Sequence, residues 1–204
     1  MLIKQSTNIC LVLIMMASCA FAQGEFLRPG ESGFGASGAV LFGEDSDAYG
    51  LTIGTSPGGY IDLTFSYTTD ESGNIQTYCP SLTFYLKKSQ PKSLTGVGFT
   101  AGFGRTEMKI LPQSGAYNFV IFGITLFANF YTTPTIAVQP SITGGATVPI
   151  EDVSDGSSTS ITPALTLILG HQSKFRPFFG VGYTTGDDTA GSFFSIDAGF
   201  VAAW

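Results

Sequence analysis

The sequence predicts an all-β chain closed into an antiparallel, up-and-down transmembrane β-barrel of ten strands, and three observations predict it. Apolar residues alternate with small or polar ones at a period of two along most of the chain beyond residue 33. No segment shows a helical period of comparable length, and beyond residue 22 no run approaches the ~18 apolar residues that a helical span requires. A membrane chain of this kind has to cross as a barrel. The connections between the alternating segments are short and long in turn, and charge sorts with them.

The first 22 residues stand apart. Lys4 is the only charge before the apolar run 9–16, and Ala20 and Ala22 supply the small residues of a cleavage site, so 1–22 reads as a signal peptide and 23–204 as the exported barrel. A rival reading takes Met16-Ala17-Ser18-Cys19 as a degenerate lipobox that makes Cys19 a lipidation site. Under cleavage before Gln23, Cys79 is left alone and no internal disulfide forms, so a closed ladder has to hold the fold. A net charge of −6 argues against nucleic acid as a partner. The 26 glycines in 204 residues are about twice the usual ~7% share.

Residues 23–32, around Pro29-Gly30, lack periodicity and read as a short lead-in. Strand candidates follow at 33–43, 49–55 and 60–68, the last setting Ile61, Leu63, Phe65 and Tyr67 against Asp62, Thr64 and Ser66. In 75–86, Tyr78, Leu82, Phe84 and Leu86 oppose Thr77, Cys79, Ser81 and Thr83, and Pro80 costs a ladder bond. In 94–105, Val97, Phe99, Ala101 and Phe103 oppose Gly96, Gly98, Gly102 and Gly104; such glycines make room in a narrow barrel for bulky side chains from the opposite wall. Segments 117–131, 135–143, 161–170, 175–183 and 190–204 complete the set. Merging two short candidates, or discarding the first pair, gives eight strands instead.

The even-numbered connections, 56–59, 88–93, 132–134 and 171–174, are all short, whereas the odd-numbered set holds the two longest, 107–116 and 144–160. Most acidic residues, among them Glu44, Asp70, Glu107, Glu151 and Asp187, fall at the end with the long loops, while Lys87, Lys88, Lys92, Lys174 and Arg176 fall at the other. Arg105 and Lys109 depart from this sorting.

The last segment places Trp204, Ala202, Phe200, Ala198, Ile196 and Phe194 on one face and ends on the aromatic. It resembles the final strand of bacterial outer-membrane β-barrels, and the chain as a whole resembles the small, porin-like members. The resemblance implies a bacterial outer-membrane location, contact with outer-membrane lipid, and hand-over to the barrel-assembly machinery through the strand ending at Trp204. It also implies short periplasmic turns and longer outer loops.

Catalytic chemistry is thin. His171, the one histidine, falls in a tight turn with no nucleophile evidently paired to it and reads as a solvated turn residue. Glu151, Asp152 and Asp155 concentrate oxygen ligands in one loop, a weak cation-binding candidate without the order of an EF-hand. No catalytic residue, metal site or cofactor is assigned. By phase Asp62, Arg176 and Asp197 face the lumen, where a charge needs a partner. With a β-hairpin tip near 186–187, Arg176 comes level with Asp197, and the expectation is that these two pair while Asp62 shares the arginine or stays hydrated; the alternative has Arg176 reaching the rim. Leu63, Phe84, Phe99, Phe122, Ile124, Leu167, Phe179 and Phe200 are expected to point outward. The expected role is structural or surface-interacting without catalysis, with a narrow path for small or apolar solutes as the alternative. A lipid-modifying barrel enzyme or a soluble secreted binding barrel comes third.

Overall fold

A computed structural model describes residues 23–43, 47–110, 113–150, 157–187 and 192–204. Among these are ten strands: β1 Gly33–Gly43, β2 Asp47–Ser56, β3 Ile61–Asp70, β4 Ile75–Gln90, β5 Ser93–Ile110, β6 Gln113–Tyr131, β7 Ile136–Pro149, β8 Ser158–Leu169, β9 Phe175–Gly186 and β10 Ser192–Ala203. Each pairs antiparallel with its sequence neighbours, and β1 pairs with β10, closing the barrel. Closure leaves no sheet edge along the barrel wall, which lets every strand satisfy its backbone inside the ladder. The count is ten, so the eight-strand alternative falls away.

The period of two sorts side chains as expected. Phe122 and Ile124 are 55% and 51% exposed, whereas Ile121 and Thr125, on the alternate face, are each 5% exposed. Leu63, Phe84, Phe99, Leu167 and Phe179 are likewise exposed, and Phe200 is half-buried on the same outer face against the Phe175 ring.

The glycines of β5 make room as expected, but for a different neighbour. A Cβ at Gly96 would lie 2.5 Å from the Phe127 ring, and one at Gly104 would fall inside the ring of Phe119. Both aromatics come from β6, where they directly oppose those glycines, rather than from the opposite wall. A flat ring lying over an adjacent glycine fills the space that the missing side chain leaves.

Two long connections are shorter than the sequence suggests. β5 and β6 stay paired out to Ile110 and Gln113, through most of 107–116, and β7 continues to Pro149. Hydrophobic alternation stops where a strand rises above an apolar belt, because both faces then meet water, while the ladder continues. Exposed Arg105 and Glu107, 3.1 Å apart, lie on this extension. Prolines interrupt the ladder: β4–β5 pairing skips Pro80, β6–β7 skips Pro140, and β8–β9 skips Pro163.

Both ends of the described chain lie at one end of the barrel, where Ser32 and Trp204 exchange backbone hydrogen bonds of 3.2 and 2.9 Å. This end, with the turns at 57–60, 91–92, 132–135 and 170–174, is the terminal end; the opposite one is the loop end. The segment 1–22 read as a signal peptide, including Cys19, and the loop carrying Glu151, Asp152 and Asp155 lie outside the described residues.

Candidate functional site in the lumen

The segment expected to be a simple lead-in turns back into the terminal end and plugs it. Residues Gln23–Phe26 form one 3₁₀ turn, Leu27 N–H donates to Gly24 O at 3.0 Å, and Gly30, at φ 89°, provides the left-handed bend that returns the chain to β1. Phe26 and Leu27 are buried against Ala137, Ile168, Phe178, Val201 and Ala203, with the Phe26 and Phe178 rings 4.7 Å apart.

A single helical turn leaves its carbonyls without partners of its own. The barrel supplies them. Asn129 Nδ2 donates to Glu25 O at 2.7 Å, Arg176 Nη1 to Phe26 O at 2.7 Å, and Lys87 Nζ to Leu27 O at 3.1 Å as well as to Gly24 O and Gly59 O. Asp62 accepts from Gly24 N at 2.7 Å and from Tyr85 Oη at 3.0 Å. β3, β4, β6 and β9 thus each contribute a side chain that grips the plug backbone.

The acids of the segment sit in opposite fields. Glu25 is buried, and its carboxyl is pushed up to about 8, first by loss of water and then by Asp62, against smaller opposing effects of Lys87 and a Gln139 hydrogen bond. At neutral pH it is protonated. Burial also raises Glu31, but hydrogen bonds from Arg176 and the Arg28 amide, and the charge of both guanidiniums, outweigh it and hold this carboxyl below its usual value. The Arg176–Glu31 pair is bidentate, 2.8 Å from Nη1 and 2.9 Å from Nη2.

Asp62, Arg176 and Asp197 all face inward, 0%, 2% and 1% exposed. The expected Arg176–Asp197 pair does not form. Arg176 lies opposite Val201, and Asp197 opposite Gly180, because Thr185 pairs with Ser192 and the hairpin tip lies beyond 187. Arg176 does not meet Asp62; its Nε donates to Ser173 O in the rim turn at 3.0 Å, and its other two nitrogens bind the plug. Asp62 is bonded to Gly24 N and Tyr85 Oη rather than to an arginine. The Asp197 carboxylate has no hydrogen-bond partner among the described residues and lies over Gly180.

Above the plug, inward hydroxyls meet across the strands: Thr52 with Ser66, Thr64 with Ser81, Thr83 with Thr100, Thr125 with Thr143, and Thr162 with Thr184, all at 2.6–2.9 Å. Toward the loop end the lumen turns apolar, with Ile75, Cys79, Phe119 and Ile121 packed against Met108 and Tyr117. Cys79 is a small buried side chain in that cluster.

His171 is not a solvated turn residue. It is 4% exposed, its ring stacks on Tyr131 at 4.4 Å and 7°, and its Nε2 lies 2.9 Å from the Thr133 carbonyl, which requires a proton on that nitrogen. Arg28 lies over the same tyrosine at 5.6 Å. The plug thereby reaches the turn that holds the histidine. Among the described residues no group of three metal-binding side chains occurs.

Glu25, Glu31, Tyr85, Asn129 and Gln139 escaped the sequence reading. The signal that points to them is a set of large polar residues, Asn129, Gln139, Arg176 and Asp62, at inward positions near one end, where burial in a narrow lumen calls for polar partners. Something polar has to meet them there.

No family profile matches the chain, and no curated protein does. Solved structures do match. The β domain of the Bordetella autotransporter BrkA superposes with a TM-score of 0.53 at 12% identity, covering 85% of this chain and 99% of that one. An outer-membrane channel from Pseudomonas putida F1 gives 0.46 at 9% identity over 89% and 98%, and the KdgM porin 0.44 at 10% over 83% and 99%. The fold of this chain is that of outer-membrane β-barrel proteins.

Proposed function

We propose that the chain is a bacterial outer-membrane barrel, exported by the signal peptide 1–22, with a structural or surface-interaction role and neither a transport path nor catalysis. The observation that carries the reading is the plug: residues 24–31 fill the terminal end, held by Asp62 of β3, Lys87 of β4, Asn129 of β6 and Arg176 of β9. The Phe119 cluster supports it by filling the loop end, as is usual where barrels of about eight to ten strands are filled by their own side chains. The outward rows of Leu, Ile and Phe suit hydrocarbon, and the acidic loop end suits an outer surface. The strand ending at Trp204 is the element through which the assembly machinery would take the chain.

Planar-bilayer conductance of the full refolded chain tests this reading. No steady current is expected. A sustained open level would overturn it in favour of a narrow diffusion path. Recovery of the protein from the aqueous periplasm without detergent would remove the membrane assignment.

A further inference from the structure

The outer wall carries a groove of about 680 Å³ across β4, β5, β6 and β7 toward the terminal end. Its origin is in two adjacent outward rows. Lys88, Thr95 and Ala128 face one another in register, with Pro140 next in line, and beside them run Leu86, Val97, Leu126 and Ile142. The first row is short in its middle, where Thr95 and Ala128 stand, so the wall dips between the Leu126 row on one side and Phe130 on the other. Pro140 breaks the ladder at the same level: β6–β7 pairing stops at Phe127–Ser141 and resumes at Phe130–Val138. The floor and walls are largely apolar. One cation stands at the edge, exposed Lys88, since its neighbour Lys87 turns inward to the plug.

We propose that this groove is a binding site for one anionic phospholipid, an acyl chain lying along Val97, Ala128 and Pro140 and the phosphate meeting Lys88. The proposal rests on the membrane reading above. The volume falls within the ~300–1,000 Å³ of small-molecule pockets, and the lining has their character, mostly apolar with a few polar side chains, Lys88 among them. In a membrane protein with its termini in the periplasm, this level belongs to the inner, phospholipid-facing half of the wall. A lysine there extends its methylenes over the apolar floor and holds its ammonium at headgroup level. Uniform apolar wall would bind all lipid tails alike; the dip with a charge at its edge distinguishes an anionic lipid from a zwitterionic one.

The test uses the full chain refolded into vesicles of equal parts phosphatidylglycerol and phosphatidylcholine, extracted in mild detergent, with retained lipids counted by native mass spectrometry. Wild type should retain one phosphatidylglycerol in preference to phosphatidylcholine. Lys88→Gln should weaken that retention about fivefold, the effect of one lysine near a charged lipid surface. Ala128→Phe, which fills the floor, should abolish it, and Lys174→Gln, at the same end but outside the groove, should leave it unchanged. Equal retention by wild type and Lys88→Gln, or by wild type and Ala128→Phe, would overturn the site. So would displacement of the lipid by millimolar inorganic phosphate, which would mark a site for the free anion. A chain that folds and stays soluble without detergent sinks the membrane reading and the groove together. One that needs detergent yet retains no phospholipid sinks the groove alone.

Discussion

The two ends of the lumen are closed by different physics. At the loop end Phe119, Ile121, Ile75 and Cys79 fill space with apolar volume contributed by the strands themselves, and Phe119 lies on a glycine. At the terminal end the filling is a separate piece of backbone, and the barrel spends Asp62, Lys87, Asn129 and Arg176 on its amides and carbonyls. The first is a core that forms with the strands. The second is a contact between the wall and a short segment outside the ladder, so its strength depends on buried hydrogen bonds and on pH. A closure of the second kind is the one that a small chemical change can loosen without unfolding the barrel.

The largest expected effect is at Arg176. Arg176→Ala leaves the Phe26 carbonyl without its donor and Glu31 with only the Arg28 amide, and should cost about 3–5 kcal/mol in a refolding titration, the range for breaking a buried ion pair. Adding Glu31→Gln should return part of that loss. Adding Asp197→Ala should be additive, because those two side chains do not meet; strong coupling between them would restore the pairing that the register excludes. At the loop end Phe119→Ala should cost a similar ~3–5 kcal/mol by opening a cavity. There Gly104→Ala, which Phe119 forbids, should recover part of the loss. Such size compensation is not expected at Arg176, and finding it would erase the distinction between the two closures.

On the outer face, Ile124→Arg should cost about 2–4 kcal/mol if the residue lies at the bilayer midplane. Tolerance of it in lipid would count against the whole in-and-out phase. A pH-dependent effect belongs to the plug. Glu25 takes up a proton on folding between its ordinary value near 4.5 and the buried value near 8, so plug docking is strongest at low pH and weakens as pH rises through that window. Glu25's own share of the slope is at most about 1.4 kcal/mol per pH unit, vanishes above pH 8, and should be removed by Glu25→Gln. Glu31 acts in the other sense: its contribution is present above pH 4.5 and is lost as pH falls through its lowered value. Hydrogen exchange of the 24–31 amides from about pH 2 to pH 9 measures both. The smallest effect is at Arg105 and Glu107, an exposed pair on the loop-end extension, where Arg105→Ala should change stability by less than about 1 kcal/mol.

What the amino-acid sequence determined by itself was the facing of each residue. Alternation at period two made Ile124 outward and Thr125 inward, sent Asp62, Arg176 and Asp197 to the lumen, and with the short and long connections set ten strands in antiparallel order. Register was decided only in the tertiary structure. A slip of one residue exchanges the two faces and is visible in the pattern, but the β9–β10 hairpin differs from the sequence reading by four residues, an even shift that leaves every side chain facing the same way. Arg176 therefore moved from Asp197 to Val201 without any change in its polarity environment that alternation could record. The plug was hidden for a related reason. Residues 23–32 have no period because they form no strand, and the partners of their carbonyls, Lys87, Asn129 and Arg176, lie some 60 to 150 positions away in sequence and converge only when the barrel closes.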